Sequence, residues 1–479
     1  MKPIRLLGAL VLAAPLALAQ SLPDLGESSQ SALSPQMEKR VGEAIMRDMR
    51  ATEPSYLDDP EIADYVNVLG HRLAGHAEGA QMDFEFFVLR DASLNAFALP
   101  GGYIGVHTGT ILAAQSESEL ASVLAHEIGH ETQHHMARMV SNQSQAQMPA
   151  LLAMALAVVA GRNNPDVAMG AVVAAQAAGI QHQLNYSRDF EREADRFGLQ
   201  TLENAGFDVR GMAAFFERLQ KYGRLYENNA PGYLRTHPLT TERITDIENR
   251  IALRPYRQVP DSLDFQLIRA KIKAQDGAPR DAVADFEVQV TERKFFSEPA
   301  ARYGLAVAES RAKDYAAVER QIVELRRLKV GSPLVDTLAG EARLRQNDAP
   351  GAVKVLRGGL ARYPQARALS YALVDALLEN HQPDEALRVT VADLQSYPSD
   401  ARMHGLQAKT YAALGKRLQQ HRAQAEAYAL QGQLVAAVEQ LQMAQKAPDG
   451  NFYEYSQVDA RLRDFKARQA EEAKNKLKL

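Results

Sequence analysis

Hydrophobic and polar positions along this chain follow two periods, and the changes between them mark out its elements. Residues 83–90 (DFEFFVLR) and 96–107 (AFALPGGYIGVH) are aromatic and β-branched, with Pro100-Gly101-Gly102 as a turn, which predicts a small β-sheet. Elsewhere the period is helical. Helices are predicted over 38–49 and 60–76, and again from Ser116, where Glu119 completes a capping box ahead of Leu120, Val123, Leu124 and Ile128. Another helix starts after Ser187, passes Glu191 and Asp195 and ends near Asn204, and more helix covers 209–222. Between these lie two apolar segments, 150–160 and 167–180, of 11 and 14 residues. A bilayer span needs roughly 20. They are expected to form a helical hairpin packed on the protein or resting on a surface, so peripheral membrane contact through residues 150–180 stays open.

Residues 253–264, with Pro255 and Pro260, separate this half from a wholly helical remainder. There Ala282, Ala316, Ala352 and Ala386 recur in the contexts RDAVADF, DYAAVER, PGAVKVL and DEALRVT, at spacings of 34, 36 and 34. The pairs Tyr363-Pro364 and Tyr397-Pro398 are also 34 apart. Such a period, with small residues where helices cross, is the tetratricopeptide signature. One helix pair cannot bury its own apolar face, whereas stacked pairs bury a continuous one. A later pair, around 408–413 and 434–444, breaks the spacing and is expected to close the array.

Lys2 and Arg5 precede the apolar run 6–18 and the triplet Ala17-Leu18-Ala19, the pattern of a secretory signal peptide (1–19) cleaved before Gln20. The run is short for a membrane anchor, so an exported, periplasmic protein is expected, with a flexible leader at 20–36. At roughly 150 residues per domain, 479 residues suggest about three domains; the proline-marked boundary and the repeat reduce this to two, over 37–254 and 262–479. A net charge of −4 gives no polybasic footprint, so no nucleic-acid partner is expected. The absence of cysteine excludes disulfides, thiolate zinc sites, iron–sulfur clusters and cysteine nucleophiles. Any metal must sit on His, Asp or Glu.

His126-Glu127-Ile128-Gly129-His130 is H-E-x-x-H within a predicted helix. Four residues apart, the two imidazoles share a helix face and could bind one zinc ion, while Glu127 could take a proton from a water there. Catalytic zinc needs a third protein ligand. Met136 excludes a histidine ten residues after the first. Histidines strung along one straight helix cannot all converge on one ion, so His134 and His135 are expected at the surface or behind the site. Glu191 and Asp195, four apart, share a face: one could ligate and the other orient an imidazole. Glu193 points away, though spacing alone favours Glu191 only weakly, and a solvated acidic helix is the plain alternative.

Together with Asn95-Ala96-Phe97-Ala98-Leu99-Pro100-Gly101-Gly102 upstream, and Thr236-His237-Pro238 and Arg243 downstream, these motifs resemble the M48 family of zinc metalloproteases over residues 95–243. The resemblance implies a mainly α fold with a small β-sheet: a zincin-type (minigluzincin) metalloprotease domain followed by an α-helical tetratricopeptide solenoid. It implies one zinc ion per chain on His126, His130 and Glu191, Glu127 as the catalytic base, and Asp195 supporting the first histidine. It further implies that His237 is an additional zinc ligand that keeps the protease quiescent, where the bare sequence allows His237-Pro238 merely to cap a helix. Arg243 either supports substrate and developing charge or is simply exposed. Asn95, Pro100, Gly101 and Gly102 mark a strand edge to which an extended substrate adds, or else a structural hairpin. The apolar hairpin at 150–180 stands where integral-membrane relatives have transmembrane helices.

The function so implied is that of a periplasmic zinc endopeptidase with a chaperone-like role. It would degrade or assist misassembled outer-membrane β-barrel proteins, its repeats contacting those clients and the β-barrel assembly machinery. An alternative of another class is a repeat scaffold or chaperone with a vestigial or regulatory metal site.

Overall fold

The computed structural model describes residues 34–80, 82–141, 188–225 and 232–476. The expected signal peptide and the 150–180 hairpin lie outside the described residues, among which no helix is long and apolar enough to cross a membrane.

Ser34 caps the first helix, α1 (Pro35–Thr52), by accepting the Met37 N–H, and Pro35 occupies the first turn, where a missing amide costs nothing. The helix thus begins inside the stretch expected as leader. Asp59 caps α2 (Pro60–Ala74) in the same way. Three strands follow: β1 (Glu85–Leu89), β2 (Ala96–Leu99) and β3 (Tyr103–His107). Their order is β1-β3-β2, with β1 parallel and β2 antiparallel to the central β3. β2 is therefore an edge strand. The β2–β3 turn requires Gly101 and Gly102, which lie at φ +87° and +90°.

After α3 (Thr108–Ala113) comes α4 (Glu117–Thr132), whose residues are all buried. The H-E-x-x-H helix is central, packed among the sheet, α2, α6 (Arg188–Asn204) and α7 (Arg210–Leu225). A helix enclosed on every side shows only weak amphipathic periodicity, as its sequence does. The short α5 (His135–Ser141) follows α4, and α8 (Gly232–Thr236) and α9 (Thr241–Ala252) complete this half.

The repeats pair α10 (Leu263–Gln275) with α11 (Pro279–Thr291), α12 (Glu298–Arg311) with α13 (Tyr315–Arg327), α14 (Pro333–Arg345) with α15 (Ala349–Arg362), and α16 (Arg367–Glu379) with α17 (Pro383–Ser396). Then come α18 (Ala401–Ala413) with α19 (Arg417–Leu430), and α20 (Leu434–Lys446) with α21 (Phe452–Lys476). Two repeat readings need correction. The segments 408–413 and 434–444, expected as one closing pair, lie in α18 and α20 with α19 between them, so two further pairs end the array. One alanine is also displaced. Ala316 is exposed, and the buried alanine of α13 is its neighbour Ala317, so the spacings from Ala282 to Ala317 and from Ala317 to Ala352 are both 35.

The two halves are not separate beads. One apolar cluster runs from Leu57 through Phe265 to Ala342. Lys271 of α10 lies 2.8 Å from Asp59 and also meets Glu61, while Arg367 of α16 pairs with Asp64, so the repeats grip α2. Farther on, Gly432, between α19 and α20, lies against Arg47 of α1. The array curves back onto the sheet-bearing half.

Candidate active site

α4 and α6 cross closely because their contact lacks bulk. A Cβ on Gly198 would lie 3.0 Å from the His126 nitrogen, and one on Gly129 3.1 Å from the Ala194 carbonyl oxygen. This approach carries the acidic face of α6 to the histidines of α4. His126 and His130 present Nε2 atoms 3.0 Å apart, and Glu191 lies 3.6 Å from the first and 3.4 Å from the second. His237 arrives from the turn after α8. Its Nδ1 is 3.4 Å from His126 Nε2 and 2.9 Å from Glu191 Oε1.

These four residues, each no more than 2% exposed, offer ligand atoms that all lie within 4.8 Å of one another. The edge of a tetrahedron around zinc, at bonds of about 2.0–2.1 Å, is about 3.3–3.4 Å. Separations of 2.9–3.6 Å between three imidazole nitrogens and a carboxylate match that edge. The residues present therefore fit a zinc ion.

Glu127 sits beside this group, 0% exposed, with neither carboxylate oxygen receiving a hydrogen bond. Its Oε1 is 3.6 Å from His237 Nε2. Burial raises its pKa, against the pull of His237 and His126. On the far side of His126, Nδ1 lies 2.9 Å from Asp195 Oδ1, which fixes that ring with Nε2 toward the cluster. Burial would push the Asp195 carboxyl up, but Arg243 and His126 outweigh it and hold it at about 2. Arg243 is itself buried, so the exposed alternative is excluded. Its guanidinium binds Asp195, Glu191 and the Pro238 carbonyl.

The strand-edge residues are divided. Asn95 lies next to α8, where Tyr233 donates its N–H to the Leu94 carbonyl at 3.1 Å, and its own Oδ1 is buried without a donor. The Pro100–Gly102 turn is at the other end of β2, outside the four-residue cluster. It is covered by α1, where Gly42 packs on the Pro100 carbonyl, and Gly102 donates to Glu131 Oε2 at 2.9 Å.

A family model described as Peptidase family M48 matches residues 60–251, and a tetratricopeptide repeat model matches 343–410. A relative from Vibrio cholerae is 40% identical over 332 residues, covering 67% of this chain and 68% of its own. The beta-barrel assembly-enhancing protease of Escherichia coli is 31% identical over 447 residues, 93% of this chain and 91% of that one. The chain belongs to peptidase family M48. A mitochondrial metalloendopeptidase, OMA1 of Arabidopsis thaliana, is 31% identical over 232 residues, 48% of this chain and 44% of its own.

This M48 chain also carries site neighbours that sequence spacing did not single out. Tyr233, 3% exposed, packs its ring 4.7 Å from that of His237. Glu131, the residue after His130, ties α4 to the β2–β3 turn. Of the histidines that follow, His134 is partly exposed beside Glu38, whereas His135 is fully buried against His130. Burial pushes His135 down to about 4 even though Glu193 pulls it upward. Glu193 does face away from the four-residue cluster, toward His135 and Arg138.

Proposed function

We propose that this metallopeptidase is a zinc-dependent endopeptidase of the periplasm, with one zinc ion on His126, His130 and Glu191 and Glu127 as its base. When bound, zinc would polarise the scissile carbonyl and acidify the attacking water. Glu127 takes the proton of that water and returns it to the leaving amine. The observation that carries this reading is its carboxylate: fully buried, free of hydrogen-bond donors and adjoining the cluster. Asp195 and Arg243 orient His126 and Glu191 from behind. The edge strand β2 offers backbone groups to an extended chain, which gives weak sequence preference.

His237 completes the donor set and approaches Glu127 with its other nitrogen, so in this arrangement it closes the site. It acts as a latch: substrate enters when His237, and with it α8 on the Leu94 carbonyl, moves away.

The match to the Escherichia coli beta-barrel assembly-enhancing protease, over 93% of this chain, supports outer-membrane β-barrel proteins as clients. The repeats then hold those clients or the β-barrel assembly machinery. Glu127→Gln should retain zinc and partner binding while losing clearance of a stalled barrel precursor. A variant equal to the parent in all three assays would replace the protease reading with that of a repeat scaffold.

A further inference from the structure

At the end of α4 the chain reverses through His134, whose φ of +51° lies in the left-handed region. The reversal brings His135 back against His130, with the two Nδ1 atoms 2.8 Å apart. The other nitrogen of His135, Nε2, is 3.2 Å from Glu193 Oε2, which also accepts from Arg138 Nη1 at 2.9 Å. Phe190 stacks on the His135 ring at 4.6 Å and 14°, and Arg138 lies over the Phe190 ring. The side chain of His135 is thus fixed by packing and by polar contacts at both nitrogens.

We propose that His135 and Glu193 are positioning residues that set the tautomer and orientation of His130 for metal binding. The inference rests on the reading of His130 as a ligand. A carboxylate can only accept, so the His135 Nε2 that faces Glu193 carries hydrogen, and Nδ1 of a neutral ring is then an acceptor. His130 Nδ1 must be the donor across the 2.8 Å contact. Its Nε2 lone pair then faces His126, Glu191 and His237. The chain Glu193–His135–His130 does for the second histidine what Asp195 does for the first, with one imidazole inserted between carboxylate and ligand.

The test is zinc affinity of the full chain, measured by competition with a chromogenic chelator, alongside the melting temperature of the zinc-free protein. His135→Phe keeps the stacking on Phe190 but removes the acceptor, and should weaken zinc binding about 10- to 100-fold, as loss of such supporting groups does. His135→Asn, whose Oδ1 can stand where Nδ1 stood, should recover most of that loss. Glu193→Ala, at a side chain 38% exposed, gives the same direction of change if His135→Phe does not fold. Parental affinity in both His135→Phe and Glu193→Ala would overturn the proposal, as would equal losses in His135→Phe and His135→Asn. A parent that binds zinc no better than His130→Ala would overturn it together with the reading of His130 as a ligand.

Discussion

Arg243 meets Asp195 with two parallel hydrogen bonds, Nε to Oδ2 at 2.7 Å and Nη2 to Oδ1 at 2.8 Å, between side chains closed to solvent. Its third nitrogen reaches Glu191 Oε2, also at 2.7 Å. One cation therefore holds two carboxylates a turn apart on α6, one facing His126 and the other facing His130 and His237. Arg243→Ala strips both buried acids of their guanidinium, leaving them only imidazole contacts, and should cost about 3–5 kcal/mol of folding stability. Arg243→Lys restores the charge without the fork and should recover only part. Urea unfolding of the three proteins measures this; a loss below about 1 kcal/mol in Arg243→Ala would mean that the clamp is not structural.

The α4–α6 crossing makes a second prediction. Gly198→Ala forces a methyl group to 3.0 Å from the His126 nitrogen and about as close to the Ala125 carbonyl carbon, so the helices must separate by a few tenths of an ångström. Overpacking of this kind costs about 1–3 kcal/mol. Because the displacement lies between Glu191 and the histidines, zinc affinity should fall as well. Unchanged affinity in a chelator titration would show that the site tolerates the shift.

Much of this arrangement was legible in the sequence, and what was not has identifiable causes. The i, i+4 spacing of His126 and His130 places both rings on one face in any α-helix, so their pairing was readable without tertiary information. Glu191 and Asp195 were readable as a shared face, but only the crossing at Gly129 and Gly198 decides which acid meets which ring. His135 could not be placed from helical periodicity, because the helix ends and reverses at His134. Ala316 and Ala317 are adjacent alanines, and their sequence context does not say which one turns inward. The Pro100–Gly102 turn read as part of an open edge, yet α1, nearly sixty residues earlier in the chain, covers it.

Glu131 predicts a pH effect. Burial raises its carboxyl from 4.5 to about 8, although the Gly102 N–H works in the opposite direction. The folded chain thus holds this proton more tightly than the unfolded chain. The stabilisation is complete below about pH 4.5 and is lost as pH rises toward about 8. Glu131→Gln keeps an acceptor for Gly102 and cannot ionise. In chelator, its melting temperature relative to the parent should climb between about pH 5 and pH 8, and a gap that stays flat would rule out a buried carboxyl as the cause.

Lys271 predicts how the halves are joined. It is 13% exposed and neutralises Asp59 and Glu61 across the boundary. Burial would lower its pKa, but the two acids more than compensate, so it stays charged. Lys271→Ala should cost about 3–5 kcal/mol, whereas Lys409→Ala, which breaks a pair between exposed side chains within the repeats, should cost under about 1. Denaturant unfolding of both variants checks the contrast, and equal losses would mean that Lys271 adds no more to the junction than an exposed pair adds to the repeats.

In the proposed reaction Glu127 moves the proton of a peptide hydrolysis that His237 holds off. The most direct measurement is cleavage of an unfolded protein by three zinc-loaded proteins at matched metal content: the parent, His237→Ala, and His237→Ala/Glu127→Gln. We expect His237→Ala to cleave faster than the parent and the double variant to be inactive while retaining its zinc. Cleavage by the double variant at the rate of His237→Ala would contradict the claim.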